Sequence, residues 1–429
     1  VLQWWDPAAK ATLSDRVNGD LVAAISRARE IDNRLTHFRS AGPEGTRKLS
    51  HSDLVLAFQK DLVSRANAGE IDARTVDRYR AALAHYLAFC CCSEVQKKFS
   101  GATGVNRDFR LGLCAFLANR NVTPNGRSVS TSRPMRGSGF VLDTVRAMFE
   151  WAANPDRGHL LPDGFRNPFL RCGGKRNVLK GDPLSAPDIT LDMAIQLIHA
   201  CDHFQLRLFG TILLFGLRAS EPCFLFVEDL KDRWLAVPNR PELDLRTKGR
   251  RDKRFPFPKA IEPIWRLLDD HRAKGLLFRR RTVEQGQETP TYEPMGAEAM
   301  SEQFRKLLAK EKNVTAIMRR RTRDKLFHGA GAITYDLIEG EFHRLSRQLS
   351  WPAEATVKDL RHLFATSMTN AGMPDVYLRY LMGHAPERAA VMAYTHLHEL
   401  ERHYSQALER EWGLLIGAIA ERAKKLEAA

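Results

Sequence analysis

The 429 residues predict a mainly α-helical protein with a small antiparallel sheet. Apolar residues recur at helical spacing through most of the chain, as Val76, Tyr79, Leu83, Tyr86 and Leu87 do in TVDRYRAALAHYLAFC. Alternation of apolar and polar positions is confined to WLAV at 234–237, LDLRT at 243–247 and RFPFP at 254–258, which together make the sheet. A third observation divides the chain: CGGKRNVLKGDPLSAP at 172–187 combines glycine, proline and lysine in the manner of a linker.

Residues 1–47 form an N-terminal extension with Trp4, Trp5 and one helix-like stretch, LVAAISRAREIDNRL, ending at the breaker SAGPEG. Two readings stand for it: an arm that touches accessory DNA or a partner subunit, or a helix packed on the next domain. Residues 48–171 read as a helical domain. Thr75 is a sensible N-cap, Arg74, Arg78 and Arg80 lie off the apolar stripe, and FRLGLCAFLANR and FVLDTVRAMFEWAA supply later helices. The intervening NVTPNGRSVSTSRPMRGSG is either a plain loop or one whose Arg133 and Arg136 contact phosphate, with a slight preference for the latter.

A second domain, 188–399, opens with a helix capped by Thr190, carries the sheet, and is again mostly helical after 259. Its interval 259–357 contains the basic runs Arg279, Arg280, Arg281 and Arg319, Arg320, Arg321. A solvated charge cluster and nucleic-acid backbone contacts are both open for them. In the last segment, 400–429, the series Leu400, Tyr404, Leu408, Trp412, Leu415 and Ile419 forms a stripe that must be buried.

Lys plus Arg number 66 against 51 Asp plus Glu, a formal charge of +15 that favours a polyanionic partner, nucleic acid first. No stretch of eighteen apolar residues exists and the start lacks a signal-peptide layout, so no membrane association and a cytoplasmic, nucleoid-associated setting are expected. The seven cysteines, Cys90, Cys91, Cys92, Cys114, Cys172, Cys201 and Cys223, show no paired spacing with histidines, so neither a metal site nor a cofactor is expected. They read as small helix core residues, with Cys223 buried beside Arg218.

Three segments carry the chemistry. LRHLFATSMTNAGMPDVYLRYLMGHAPERAAVMAYTHL at 360–397 holds Arg361, His384 and Tyr394; LLFGLRASEPCFL at 213–225 holds Arg218 and Glu221; LDLRTKGRRDKRFPFP at 243–258 holds Lys248 and Lys253. In chain order they resemble the catalytic boxes of the tyrosine recombinases, the phage integrase family, and the helical 48–171 segment resembles that family's core-binding domain. The resemblance implies a DNA clamp of a helical core-binding domain and a mixed α+β catalytic domain. It also implies site-specific recombination of DNA, such as that of a mobile element, through a 3′-phosphotyrosine intermediate. Related alternatives are a type IB topoisomerase, a telomere resolvase, or a non-catalytic DNA-binding accessory protein on the same fold.

Each residue type suits its role under this resemblance. Arg218 and Arg361 are the phosphate clamps, because a planar guanidinium offers forked donors and stays charged. Glu221 orients a neighbour. Tyr394 is the nucleophile, followed by THL as the family's often is, although it stands ten residues after His384, one more than the usual pattern. Lys248, at the hairpin turn, is the general acid for the 5′-oxygen, with Lys253 as the alternative; Lys358 is the base or proton relay, and His384 a phosphate hydrogen-bond donor. His362, Tyr377, Tyr380 and Tyr404 read as structural. Implied partners are double-stranded DNA, three further copies in a homotetramer on two sites, and accessory directionality proteins. The last helix can pack on its own domain, but the resemblance implies docking in a neighbouring subunit, and the stripe from about 400 to 420 is expected to join subunits.

Overall fold

A computed structural model describes residues 1–6, 11–18, 21–40, 49–123, 132–135, 137–162, 164–170, 189–247, 251–269, 271–352, 355–384 and 399–428. The chain divides into two compact units, Val1–Pro183 and Leu184–Ala429.

The first unit opens with a hairpin absent from the sequence expectation: β1 (Leu2–Asp6) pairs antiparallel with β2 (Ala11–Asp15), Trp4 opposite Leu13 and Trp5 opposite Thr12. Helix α1 (Leu21–Ser40) follows. A helical bundle is then built from α2 (His51–Asn67), α3 (Ala73–Cys90), α4 (Ser93–Lys98) and α5 (Arg107–Ala118). The strands β3 (Asn121–Val122) and β4 (Arg133–Pro134) pair at the neck of the segment read as a loop, and α6 (Ser138–Ala153) completes the bundle. Leu54, Phe58, Leu83, Tyr86, Phe109 and Phe149 are among its buried side chains. His51 joins the core polar-to-polar, its Nδ1 2.6 Å from the Tyr86 hydroxyl and its ring stacked on Phe109. The cap of α3 is corrected: Asp72, whose carboxylate accepts from the Arg74 amide at 2.7 Å, caps the helix, and Thr75 lies inside it.

In the second unit Thr190 caps α7 (Leu191–Ala200) as expected, its hydroxyl accepting from the Met193 amide. Asp202 and Gln205 form a reciprocal capping box at the start of α8 (His203–Phe215), which is buried along nearly its whole length. The sheet consists of β5 (Leu230–Lys231), β6 (Trp234–Val237) and β7 (Lys253–Pro256) in the order β5-β6-β7, all antiparallel. LDLRT is therefore corrected. It is a turn, with Asp244 in the left-handed region at φ 55° and an isolated bridge from Arg240 to Leu245.

The remaining helices among the described residues are α9 (Glu262–Leu268), α10 (Arg281–Glu284), α11 (Ala297–Leu308), α12 (Ala316–Gly329), α13 (Tyr335–Gln348), α14 (Val357–Asn370), α15 (Asp375–Leu381) and α16 (Leu400–Glu427). The long interval before α14 builds a satellite core, in which Leu243 and Leu245 pack with Phe226, Met300, Phe304 and Phe327. The main core gathers α7, α8, the sheet and α14 around α16.

The stripe of α16 is buried within its own domain: Leu400, Tyr404, Leu408, Trp412, Leu415 and Ile419 all belong to the main core. The Tyr404 hydroxyl donates to the Leu214 carbonyl at 2.5 Å, and Arg422 Nε to the Cys201 carbonyl at 2.7 Å. These side chains pack against α7, α8, α9 and α14 of the same chain. Among the described residues no helix is long and apolar enough to cross a membrane.

Candidate active site

The site begins where α8 stops. Its apolar run ends at Gly216, in the left-handed region at φ 53°, and a Cβ there would lie 2.3 Å from the Phe364 ring on α14. Glycine both terminates the helix and lets its backbone press against α14. The Gly216 carbonyl accepts a hydrogen bond from Arg361 Nη1, so the segment holding the first arginine is tied directly to the second.

Arg218 and Arg361 meet at one oxygen. Arg218 Nη2 donates to the Met382 carbonyl at 3.2 Å and Arg361 Nη2 donates to the same atom. Arg361 is buried on α14, whereas Arg218 keeps one fifth of its side chain exposed. Burial, then the neighbouring Arg218, pushes Arg361 down to about 10, which leaves it charged at neutral pH.

Glu221 organises the other side. Its Oε2 accepts from the Arg218 amide at 2.9 Å, and its Oε1 from Arg218 Nη1 at 3.2 Å. Lys253 Nζ donates to both carboxylate oxygens at 2.7 Å. Burial would raise the Glu221 carboxyl, yet Lys253, the Arg218 amide and Arg361 hold it below its usual range. For Lys253 burial dominates and pushes the ammonium down to about 8, against the upward pull of Glu221. The Lys253 side chain is fully enclosed.

Gly383 closes this assembly. It sits at φ 58°, where a Cβ would lie 3.1 Å from Lys253 Cδ and 3.4 Å from Arg218 Nη1, so the turn carrying His384 presses on both cations. His384 is exposed, and its amide donates to the Arg379 carbonyl at 2.9 Å. Lys358 is exposed on the first turn of α14, one turn before Arg361. Lys248 and Tyr394 lie outside the described residues. The structure thus brings Arg218, Glu221, Arg361 and the turn before His384 together, and adds Lys253 as their partner.

The sequence reading missed this pairing of Lys253, although one signal was present: Lys253, Phe255 and Phe257 alternate on one face, and both phenylalanines are buried. Tyr377 and Tyr404 are buried as expected, and the Tyr380 hydroxyl accepts from the Arg254 amide. His362 is exposed, not enclosed in the core. Cys223 is buried near Arg218 as expected, but Cys91 is exposed.

The other arginines separate into two groups. Arg280 is buried, with Nη1 donating to the His328 carbonyl at 2.7 Å and Nε to Glu288 at 3.2 Å. Arg281 bridges Asp202 at 2.6 Å and Glu341 at 3.0 Å. Both tie elements of the domain together, because carboxylates and carbonyls of the chain accept from their donors. Arg279, Arg319 and Arg320 are half-buried, Arg320 lying 3.6 Å from Asp324, while Arg321 is exposed. In the first unit Arg74, Arg78, Arg80 and Arg133 are exposed, Arg78 lying over the Phe140 ring; Arg136 is outside the described residues.

An enclosed carboxylate with two guanidiniums and an ammonium leaves net positive charge at a partly open surface. Such a site suits an oxyanion, and phosphate in particular, to which two forked guanidiniums can donate.

Residues 188–401 match the phage integrase family. No curated protein matches the chain. Among solved structures, a lambda integrase dimer bound to a COC′ core site is 14% identical, with 96% of this chain and 93% of that one covered at a TM-score of 0.45. A lambda integrase tetramer bound to a Holliday junction is 14% identical, covering 90% and 94%, also at 0.45. The Tn1549 transposon integrase in complex with a circular intermediate DNA is 16% identical, covering 80% and 95% at 0.46.

Proposed function

Because the chain belongs to the phage integrase family of tyrosine recombinases, we propose that it is a site-specific DNA recombinase of a mobile element, cutting and rejoining strands through a 3′-phosphotyrosine on Tyr394. The observation that carries this reading is the convergence of Arg218 and Arg361 on a single oxygen, two residues before His384. A scissile phosphate taking the place of that acceptor receives forked donors from both guanidiniums, and they stabilise the charge that grows in the transition state.

The Tyr394 phenol oxygen attacks phosphorus, the bond to the 5′-oxygen breaks, and the 3′-phosphotyrosyl ester forms. Lys248 gives its proton to the departing 5′-oxygen, Lys358 takes the phenolic proton, and His384 donates to a non-bridging oxygen. Rejoining reverses these steps with the 5′-hydroxyl of another strand as nucleophile. The ester retains the energy of the phosphodiester, so neither ATP nor a metal takes part. Double-stranded DNA is the partner, a homotetramer on two sites the working assembly, and the nucleoid its place of action, with accessory proteins setting direction.

The test is a nicked suicide substrate. The wild-type chain is expected to form a covalent protein–DNA adduct and Tyr394→Phe none, with site binding retained because only the nucleophilic oxygen is removed. An adduct from Tyr394→Phe overturns the assignment of the nucleophile, and no adduct from wild type overturns the enzymatic reading.

A further inference from the structure

Lys253 is the least accessible cation of the site, and its position is inconsistent with direct contact to DNA. Its side chain is completely enclosed, its ammonium is held by both oxygens of Glu221, and Gly383 covers its aliphatic stem. A proton donor for a departing 5′-oxygen must come within about 2.6–3.2 Å of it. An enclosed ammonium that faces a carboxylate of its own chain does not meet that condition.

The arrangement of donors around Glu221 gives Lys253 a different task. Arg218 is called on by two acceptors: Glu221, which takes its amide and Nη1, and the Met382 carbonyl, which takes Nη2 and whose place the scissile phosphate takes in the proposed reaction. A buried carboxylate needs a full counter-charge. Lys253 supplies it through two short hydrogen bonds, so the Arg218 guanidinium is not drawn inward as the sole partner of Glu221. Charge counting agrees: Arg218, Arg361 and Lys253 against Glu221 is three positive charges to one negative, and removal of Lys253 halves the surplus from two to one.

We propose that Lys253 is a positioning residue, which neutralises Glu221 from inside the domain and thereby keeps Arg218 directed at the scissile phosphate. This deepens the recombinase reading and rests on it. The sequence pattern is consistent with the role, since Lys253 is placed inward by the same strand alternation that buries Phe255 and Phe257.

The test compares the full-length wild type, Lys253→Met, Glu221→Gln and the double variant on nicked suicide substrates with oxygen or sulfur at the bridging 5′ position. Adduct formation is timed at saturating protein, and site affinity is measured separately. Lys253→Met is expected to slow adduct formation on the order of 10²-fold, the loss typical of a reacting group displaced by about 1 Å, with site affinity within about twofold of wild type. The slowing is equal on both substrates, because a sulfur leaving group repairs a missing acid but not a misplaced clamp.

The double variant is expected to recover much of the lost rate, since the neutral amide introduced by Glu221→Gln no longer demands a buried cation. Sulfur rescue of Lys253→Met would make Lys253 the acid and overturn the proposal, as would an unchanged rate on oxygen or a double variant no better than Lys253→Met. If Lys253→Met does not fold, the double variant decides: cleavage well above that of an Arg218→Ala control supports the proposal, and cleavage no better than that control sinks it. Lack of adduct from wild type removes the recombinase reading itself, so the two failures are distinguishable.

Discussion

Arg218 and Arg361 on one side, and Arg280 and Arg281 on the other, are arginines of one domain that differ in the acceptors placed around them. Arg280 has Glu288 and two backbone carbonyls, and Arg281 has Asp202 and Glu341. Arg218 and Arg361 share the Met382 carbonyl, Arg361 has only the Gly216 carbonyl besides among the described residues, and the carboxylate beside Arg218 is already met by Lys253. Guanidinium chemistry is identical in the two regions. What differs is local charge balance: an arginine whose donors are matched by carboxylates ties the fold together, and one left in excess can receive a phosphate.

The contrast breaks most readily at the site. Arg361→Ala or Arg218→Ala is expected to lower covalent adduct formation by about 10²–10³-fold or more, the usual cost of removing one preorganised donor to a developing oxyanion. Site binding measured by gel shift should change far less. Cleavage near the wild-type rate by either variant would show that the clamp lies elsewhere.

A smaller effect, of another kind, is expected at Arg280. Arg280→Ala removes a buried guanidinium from the His328 and Ala332 carbonyls and from Glu288, and stability should fall by about 1.5–3 kcal/mol, as for hydrogen bonds to a charged group. Thermal unfolding reads this directly, and the adduct yield of the folded fraction should be unchanged. A selective loss of DNA affinity with unaltered melting would return Arg280 to the DNA-contacting set.

The smallest effect belongs to the exposed arginines of the first unit. Arg74→Ala should weaken binding to cognate and unrelated duplexes alike and reduce the slope of log affinity against log salt by about 1. A slope identical to wild type would show that Arg74 is solvated in the complex.

The secondary structure was legible wherever one buried face dominated. The α3 stripe, the Thr190 cap and the WLAV and RFPFP strands all follow from local periodicity and capping chemistry. LDLRT shows the limit of that reasoning. Its two leucines do face a core, but the satellite core with Phe304 and Phe327, and the chain reaches it through a turn at Asp244. Alternation records that a face is buried and is silent about what buries it. The hairpin of β1 and β2 was hidden for a related reason: Leu2–Asp6 carries two tryptophans beside polar residues, and its pairing depends on a second short segment with no strong pattern of its own.

The α16 stripe carries the same lesson to a larger scale, since periodicity demanded burial of Leu408 and Trp412 and left the covering surface open. By itself, the sequence determined the helical class, the family and the set of candidate chemical groups, because propensity, capping and motif spacing act over a few neighbouring residues. Only the tertiary structure decided that Lys253 serves Glu221, 32 residues away, that Arg218 and Arg361 share the carbonyl of Met382, and that Arg280 and Arg281 are internal ties. Those outcomes depend on sums of charge and desolvation over groups distant in the chain, which are defined only once folding has set their separations and excluded water from between them.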